Sequence, residues 1–379
     1  MYLDSFSVDT NDAGRRKSTL SGSTRKDPST APGQIAAGLE AVRVGTSLAD
    51  LCSGMHRRLI CSTVVSLAAS LVSLNVSAAA ARRGQPHAAP PTLSVPDGTR
   101  LLVLAPHPDD EVLAAGGLMQ RVSEGGGAIR VVYLTDGDGY PEGVRFEDHV
   151  ASPTAAEYRG YGRRRRREAA SALAALHLGD SIYTFLGFPD GGLAKLMGSY
   201  WSERRVAYRS PYTRLDRPPR SEMLVAATEY RGEDLTQEIA LIIGEFRPTM
   251  ILVPRREDQH VDHCAAWFFL ADALTDVRRV QPDFSTDVIN YIVHYDAWPF
   301  QDDGPRLEPP PALAGGVSGW MRFPLTAAEA RAKRTALGRY RTQVHVMSWF
   351  LDGFARSNEV FSRPAPFRIA LPLRHNRCG

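Results

Sequence analysis

Leu101-Leu102-Val103-Leu104-Ala105-Pro106-His107-Pro108-Asp109-Asp110-Glu111 is the stretch on which the fold turns. Residues 101–104 form a short, continuous apolar run bounded by a proline, the pattern of a strand buried on both faces. Helical spacing follows from Glu111 to about Glu124, with Val112, Leu113, Leu118, Met119 and Val122 as apolar positions. Gly125-Gly126-Gly127 then stops the helix. These glycines follow the helix, whereas a phosphate loop needs the helix after them. The same alternation continues outward. Strands are expected over 129–134, 181–186, 249–253 and 288–294, and helices over 162–176, 235–246, 261–274 and 327–342. Residues 193–235 read as an irregular insertion holding Tyr200, Trp201, Tyr208, Tyr212 and Tyr230. The reading is an α/β fold, a single catalytic domain with a Rossmann-like, mostly parallel sheet and helices on both faces.

The chain has 379 residues, 43% hydrophobic and 23% charged, which excludes a wholly disordered protein. Lys+Arg total 45 and Asp+Glu 42, a net charge of +3. That near-balance argues against a nucleic-acid partner. All but four of the basic residues are arginine, so the Arg163–Arg167 run reads as a solvated helix face.

Residues 1–54, rich in Ser, Thr, Gly and Asp, read as a disordered extension or an over-extended reading frame. Met55-His56-Arg57-Arg58 precedes an uncharged run over 59–81 that ends in Val76-Ser77-Ala78-Ala79-Ala80-Ala81. A basic segment, an apolar segment and small residues at a cleavage site describe a secretory signal beginning at Met55. If retained, the 23 uncharged residues form a membrane anchor, although Ser62, Thr63, Ser66, Ser70, Ser73 and Asn75 make it a poor span. Residues 82–98 read as a Pro-rich linker and 99–379 as the catalytic domain. Export to the periplasm, envelope or medium follows from this order. Cys264 and Cys378 lie outside the removable region, and their spacing does not decide whether they pair.

Open α/β sheets bind ligands outside the carboxyl ends of their strands. After the first strand stand one imidazole and three carboxylates, His107 and Asp109-Asp110-Glu111. Acids at a helix start complement its dipole, but that reading leaves His107 unexplained. In the functional reading His107 and one Asp hold a metal, and the other Asp is free to act as a base. After the strand at 249–253 comes Asp258-Gln259-His260-Val261-Asp262-His263, with two histidines on one face if a helix begins there. Two His and one carboxylate with an open position suit catalytic zinc or iron(II). Such an ion lowers the pKa of bound water to ~7. The free carboxylate can take the proton, and the spare His can donate to a leaving group or polarise a carbonyl. This is equipment for hydrolysing an amide or ester.

Three further segments flank this pair. Asp136-Gly137-Asp138-Gly139-Tyr140 fails the EF-hand pattern at Tyr140 and reads as a Gly-rich turn or as the rim of the site. Arg165 shares the apolar stripe of Ala169, Ala172, Leu173 and Leu176 and is expected to point to the site, with Arg163, Arg164 and Arg166 fanning outward. Asp190 reads as a turn residue or a substrate hydrogen-bond acceptor.

Pro106-His107-Pro108-Asp109-Asp110-Glu111 together with His260-Val261-Asp262-His263 resembles the LmbE-like (PIG-L) zinc-dependent N-deacetylase superfamily. The resemblance extends over roughly 99–345. It takes in Arg165-Arg166-Arg167-Glu168, Leu186-Gly187-Phe188-Pro189-Asp190 and a late segment from Lys333 to Thr342-Gln343. It implies that His107, Asp110 and His263 hold zinc (or iron) and that Asp109 is the general base. It further implies that His260, oriented by Asp262, stabilises the oxyanion or protonates the amine, while Arg165 and Asp190 hold the sugar. The expected substrate is an N-acetylated amino sugar in an envelope glycan, glycolipid or glycoside. Val261 replaces the family's usual Pro, and the 193–235 insertion exceeds that of small members. Two other functions are weighed beside it: a non-catalytic glycan-binding envelope protein, and an amidase acting on another acyl amide such as a lipidated antibiotic. The retained Asp109 favours catalysis, since a pure binder needs no free carboxylate beside the metal.

Overall fold

Residues 101–104 form the middle of β1 (Arg100–Ala105) in a computed structural model of the chain. The structure describes residues 90–179, 182–202, 204, 206–300, 304–315, 319–364 and 378. The expected extension over 1–54, the signal segment 55–81 and the linker as far as residue 89 lie outside the described residues. In chain order there follow α1 (Asp110–Glu124), β2 (Ala128–Thr135), α2 (Pro141–Asp148), α3 (Ala155–Ala175), β3 (Tyr183–Phe188) and α4 (Leu193–Leu196). Next come α5 (Gly232–Phe246), β4 (Met250–Pro254), α6 (Val261–Val280), β5 (Asp287–Tyr291) and α7 (Pro311–Ala314). The order closes with β6 (Trp320–Pro324), α8 (Ala327–Leu337), α9 (Arg341–Gly353) and β7 (Asn358–Ser362).

The strands make one sheet in the order β3-β2-β1-β4-β5-β7-β6. The five from β3 to β5 are parallel, while β7 runs antiparallel to both β5 and β6. From β1 the chain winds one way through β2 and β3, then returns to the other side of β1 with β4 and β5. The crevice between the carboxyl ends of β1 and β4 is therefore the topological switch point where such sheets bind ligands. Alternation along β1 divides the core. Leu101, Val103 and Ala105 join α1, α3 and α8 on one face, and Leu102 and Leu104 join α5 and α6 on the other. Cys264 of α6 is disulfide-bonded to Cys378, with Cα atoms 5.6 Å apart.

Several boundaries differ from expectation for local reasons. Helix α3 starts seven residues before 162, because Thr154 and Glu157 form a reciprocal capping box. The single helix expected over 327–342 is two, since the chain turns at Gly338-Arg339-Tyr340 and buries Tyr340 completely. The tail of the expected linker is not a free tether. Leu93 N donates to Arg322 O at 2.8 Å, Arg322 N donates to Pro91 O at 2.8 Å, and Leu93 is buried in the core.

Candidate active site

His107 leaves the carboxyl end of β1, and His263 stands in the first turn of α6 after β4, so the switch point brings them together. His107 Nδ1 lies 3.2 Å from His263 Nε2. Asp110 Oδ2 is 3.4 Å from the first nitrogen and 3.2 Å from the second. A tetrahedral ion with ligand bonds of about 2.0–2.2 Å has ligand-to-ligand edges of roughly 3.3–3.6 Å. The three atoms thus outline one face of such a tetrahedron. The local field also calls for positive charge. Burial lowers His263, yet Asp110 and Asp258 carry it up to about 9. Burial likewise opposes protonation of His107, but Asp190 and Asp110 raise it well above its ordinary value. A divalent cation satisfies the same carboxylates.

The far ring atoms fix which nitrogens face this centre. His263 Nδ1 is 3.2 Å from Asp258 Oδ2, an oxygen that also accepts from Val293 N at 2.9 Å and His294 N at 3.1 Å. His107 Nε2 is 3.2 Å from Asp190 Oδ1 and 3.5 Å from Asp262 Oδ2. With its outer nitrogen on Asp258, the His263 ring presents its other nitrogen inward, as metal-ligating histidines do, whereas His107 Nε2 lies near two carboxylates without a hydrogen bond to either.

Asp109, the N-cap of α1, is held differently. Its φ is 132° and ψ −30°, a region that non-glycine residues rarely enter. Asp109 N donates to Glu111 Oε2 at 3.2 Å, and Arg165 Nη2 donates to Asp109 Oδ2 at 3.0 Å. Arg165 is itself fixed on Pro108 O at 2.7 Å and Gly137 O at 2.9 Å. Gly137 has φ +62°, and a Cβ there would collide with the guanidinium. Tyr340 OH donates to Glu111, whose carboxyl burial pushes up to about 7. Burial also raises the Asp109 carboxyl, with Arg165 opposing. The carboxyl of Asp109 is therefore turned to an arginine, apart from the three-atom cradle.

His260 caps α6, its Nδ1 accepting from Asp262 N at 3.3 Å. Burial, then the charges of His107, His263 and His294, hold His260 well below its ordinary value. In the neutral ring the remaining proton sits on Nε2, which makes that atom a hydrogen-bond donor and not a metal ligand. His107, His260 and His263 are close enough to share an ion, as are Asp110, His263 and His294, and His107, Asp190 and Asp262. The tautomer of His260 disfavours the first of these groups, and the 3.2–3.4 Å spacing of His107, Asp110 and His263 matches one tetrahedral face.

The family described as PIG-L: GlcNAc-PI de-N-acetylase matches residues 102–274. That match takes in both the β1–α1 and the β4–α6 handovers. Two similar proteins are 1D-myo-inositol 2-acetamido-2-deoxy-alpha-D-glucopyranoside deacetylases. That of Kineococcus radiotolerans is 31% identical over 43% of this chain and 41% of its own. Deacetylase 1 of Saccharopolyspora erythraea is 32% identical over 50% of this chain and 58% of its own. The chain thus spans about half the length of the curated relatives it matches. The conserved protein TT1542 from Thermus thermophilus aligns at 22% identity with a TM-score of 0.42, over 72% of this chain and 97% of its own.

The matched segment contains every catalytic, metal-binding and sugar-binding candidate singled out from the sequence, but three of them sit differently from expectation. Asp262 does not orient His260 through its carboxylate. That group accepts from Gly191 N at 2.7 Å and Leu193 N at 3.0 Å and faces His107, because only the backbone N–H of Asp262 reaches the capping ring. Asp190, expected on the sugar, is buried against His107 and accepts from Gly139 N at 2.6 Å. Arg165 is 4% exposed and directed at protein groups, so it positions Asp109 from behind and presents no open surface to a sugar. The Asp136–Tyr140 segment is a brace, since Gly137 O receives Arg165 and Gly139 N holds Asp190. Arg164 pairs with Asp148, and Arg166 with Asp136 and Glu222.

Sequence reading missed Asp258 and His294. Asp258 stood in the quoted run, five residues before His263, without a sign that it would turn back onto that ring. His294 was a lone histidine at the end of the strand expected over 288–294. Its ring lies 4.8 Å from that of His263 and 5.2 Å from that of His260.

Proposed function

We propose that the chain is a zinc-dependent hydrolase removing the acetyl group from an N-acetylated amino sugar. The observation that carries this reading is the pairing of a three-atom metal cradle with a separate, strained Asp109. Two imidazoles and one carboxylate suit zinc and also iron(II). When bound, the ion supplies Lewis acidity to the acetamide carbonyl and acidity to water. Asp109, tied to Arg165, takes the proton of the attacking water and returns it to the departing amine. Burial raises its carboxyl towards neutrality, which suits a group that must both accept and release a proton. His260 Nε2–H donates to the negative charge developing on the carbonyl oxygen. A non-catalytic binder has no use for an acid held at the conformational cost of Asp109.

The amino-sugar class is supported by the family and by the activity for which the two relatives are named. The 193–235 insertion forms the neighbouring wall, with Tyr208 and Tyr212 close enough to Asp262 and Asp190 to feel their charge. The test is acetate release from glycosides of N-acetylglucosamine, with the free amine identified by mass, in zinc and in chelator. Zinc-dependent release supports the reading, and release unaffected by metal removal overturns it.

The site of action proposed is outside the cytoplasm, on an envelope glycan, glycolipid or glycoside. The Met55 signal pattern and the Cys264–Cys378 disulfide both support an oxidising, exported setting. N-terminal sequencing from the native host decides it. A start near 79–83 supports a cleaved signal, a start at Met55 supports an anchor, and an intact Met1 in the cytosol overturns export.

A further inference from the structure

A line of aromatic rings leads from the metal cradle to the surface. His294 stands 4.8 Å from the ring of His263 and stacks on Phe350 at 5.3 Å, with planes 11° apart. Phe350 touches Phe300 at 5.8 Å and Trp349 at 6.0 Å, and Phe300 meets Trp349 at 4.6 Å. Helix α9 departs from helical geometry at Met347, just before this pair. Phe350 is half-buried towards His294, and Trp349 is 61% exposed. Phe350, Phe300 and Trp349 have no part in the chemistry described above.

We propose that Trp349 and Phe300 form a stacking platform for a second sugar ring of the substrate, beyond the ring that bears the acetamide. This rests on the N-deacetylase reading of the site and assigns a substrate longer than one pyranose. Three ring-to-ring steps separate His263 from Trp349, which places the platform beyond the ring that would sit at the cradle. The chemistry of the patch selects a glycan over an acyl chain. A pyranose has an apolar C–H face, which suits an exposed indole, and a hydroxyl rim that needs polar neighbours. Helix α9 supplies these as well. His345 Nδ1 lies 2.6 Å from Glu147 Oε1, and the exposed Phe146 sits 5.8 Å from the His345 ring. An acyl chain lying along this helix would strip water from these polar side chains without replacing their hydrogen bonds.

The test compares β-linked N-acetylglucosamine trisaccharide with the methyl glycoside of the monosaccharide. In the wild type, KM is expected to fall about tenfold from mono- to trisaccharide, equivalent to roughly 1.4 kcal/mol. In Trp349→Ala and in Phe300→Ala the advantage of the trisaccharide over the monosaccharide is lost, and Trp349→Phe restores most of it. Calorimetric titration of the trisaccharide reads binding without hydrolysis. Loss of trisaccharide affinity in Trp349→Ala supports the platform even in a preparation that releases no acetate. Hydrolysis with a KM independent of chain length overturns the platform and leaves the hydrolase reading standing. A KM that improves with alkyl-chain length on the aglycone, and not with added sugars, also overturns it.

Discussion

Lys333 Nζ donates to Glu359 Oε1 at 2.7 Å, and this fully buried pair closes a break in the helix that carries Asp110. Helix α1 leaves helical geometry at Ala115, with φ −140° and ψ 21°. The break frees backbone groups on both sides. Lys333 Nζ donates to Leu113 O at 2.9 Å, and Glu359 accepts from Gly117 N at 2.8 Å and Leu118 N at 2.9 Å. One ion pair from α8 and β7 thus caps both halves of a bent helix whose first turn holds Asp110 and Glu111. Burial holds Lys333 below its ordinary value, and the carboxylate of Glu359 counters only part of this.

Removing one member of that pair leaves a buried charge and orphaned backbone groups. Lys333→Met or Glu359→Gln should therefore cost about 3–5 kcal/mol. Denaturant unfolding checks this. The double variant Lys333→Met/Glu359→Leu should lose less than the two single losses combined. Single variants within about 1 kcal/mol of wild type would show that the pair is dispensable.

Arg165 makes a planar fork to Asp109, Pro108 O and Gly137 O, a geometry that a lysine ammonium does not reproduce. Arg165→Lys should lower turnover by at least tenfold while leaving bound metal unchanged, as read by elemental analysis of the same preparations. Full activity in Arg165→Lys contradicts the positioning role given to that fork.

Asp258 orients His263 and does not itself face the cradle. Asp258→Asn should therefore retain a metal site weakened by about 10–100-fold, the usual effect of losing an outer partner of a ligating histidine. His263→Ala should abolish binding. Competition with a chromophoric chelator measures both, and equal loss in the two variants would place Asp258 among the ligands themselves.

The handovers from β1 to α1 and from β4 to α6 were legible because strand, turn and chemistry-bearing side chains are contiguous there. Elements fixed by distant partners were not. Strand β7, Asn358-Glu359-Val360-Phe361-Ser362, is buried at every position, yet three of its five residues are polar. Their partners come from α1, from Arg255 just past β4 and from the segment before α7, so no local alternation announces a strand. The split between α8 and α9 follows from Tyr340 reaching Glu111 across the fold, which helical periodicity does not record. The swap of roles around His260 has a similar origin. Asp262 lies two residues away in sequence, yet its carboxylate is drawn to the free N–H groups of Gly191 and Leu193.

The central claim is that the metal is held by one aspartate and the proton is moved by its neighbour. It is tested most directly by measuring metal content and acetate release together in Asp109→Asn and Asp110→Asn. Asp109→Asn should keep about one zinc per chain and lose about 10²–10⁴-fold in turnover on an N-acetylglucosamine glycoside. Asp110→Asn should lose the metal, with activity failing for that reason. Metal retained in Asp110→Asn and lost in Asp109→Asn, or acetate release undiminished in Asp109→Asn, would contradict the account.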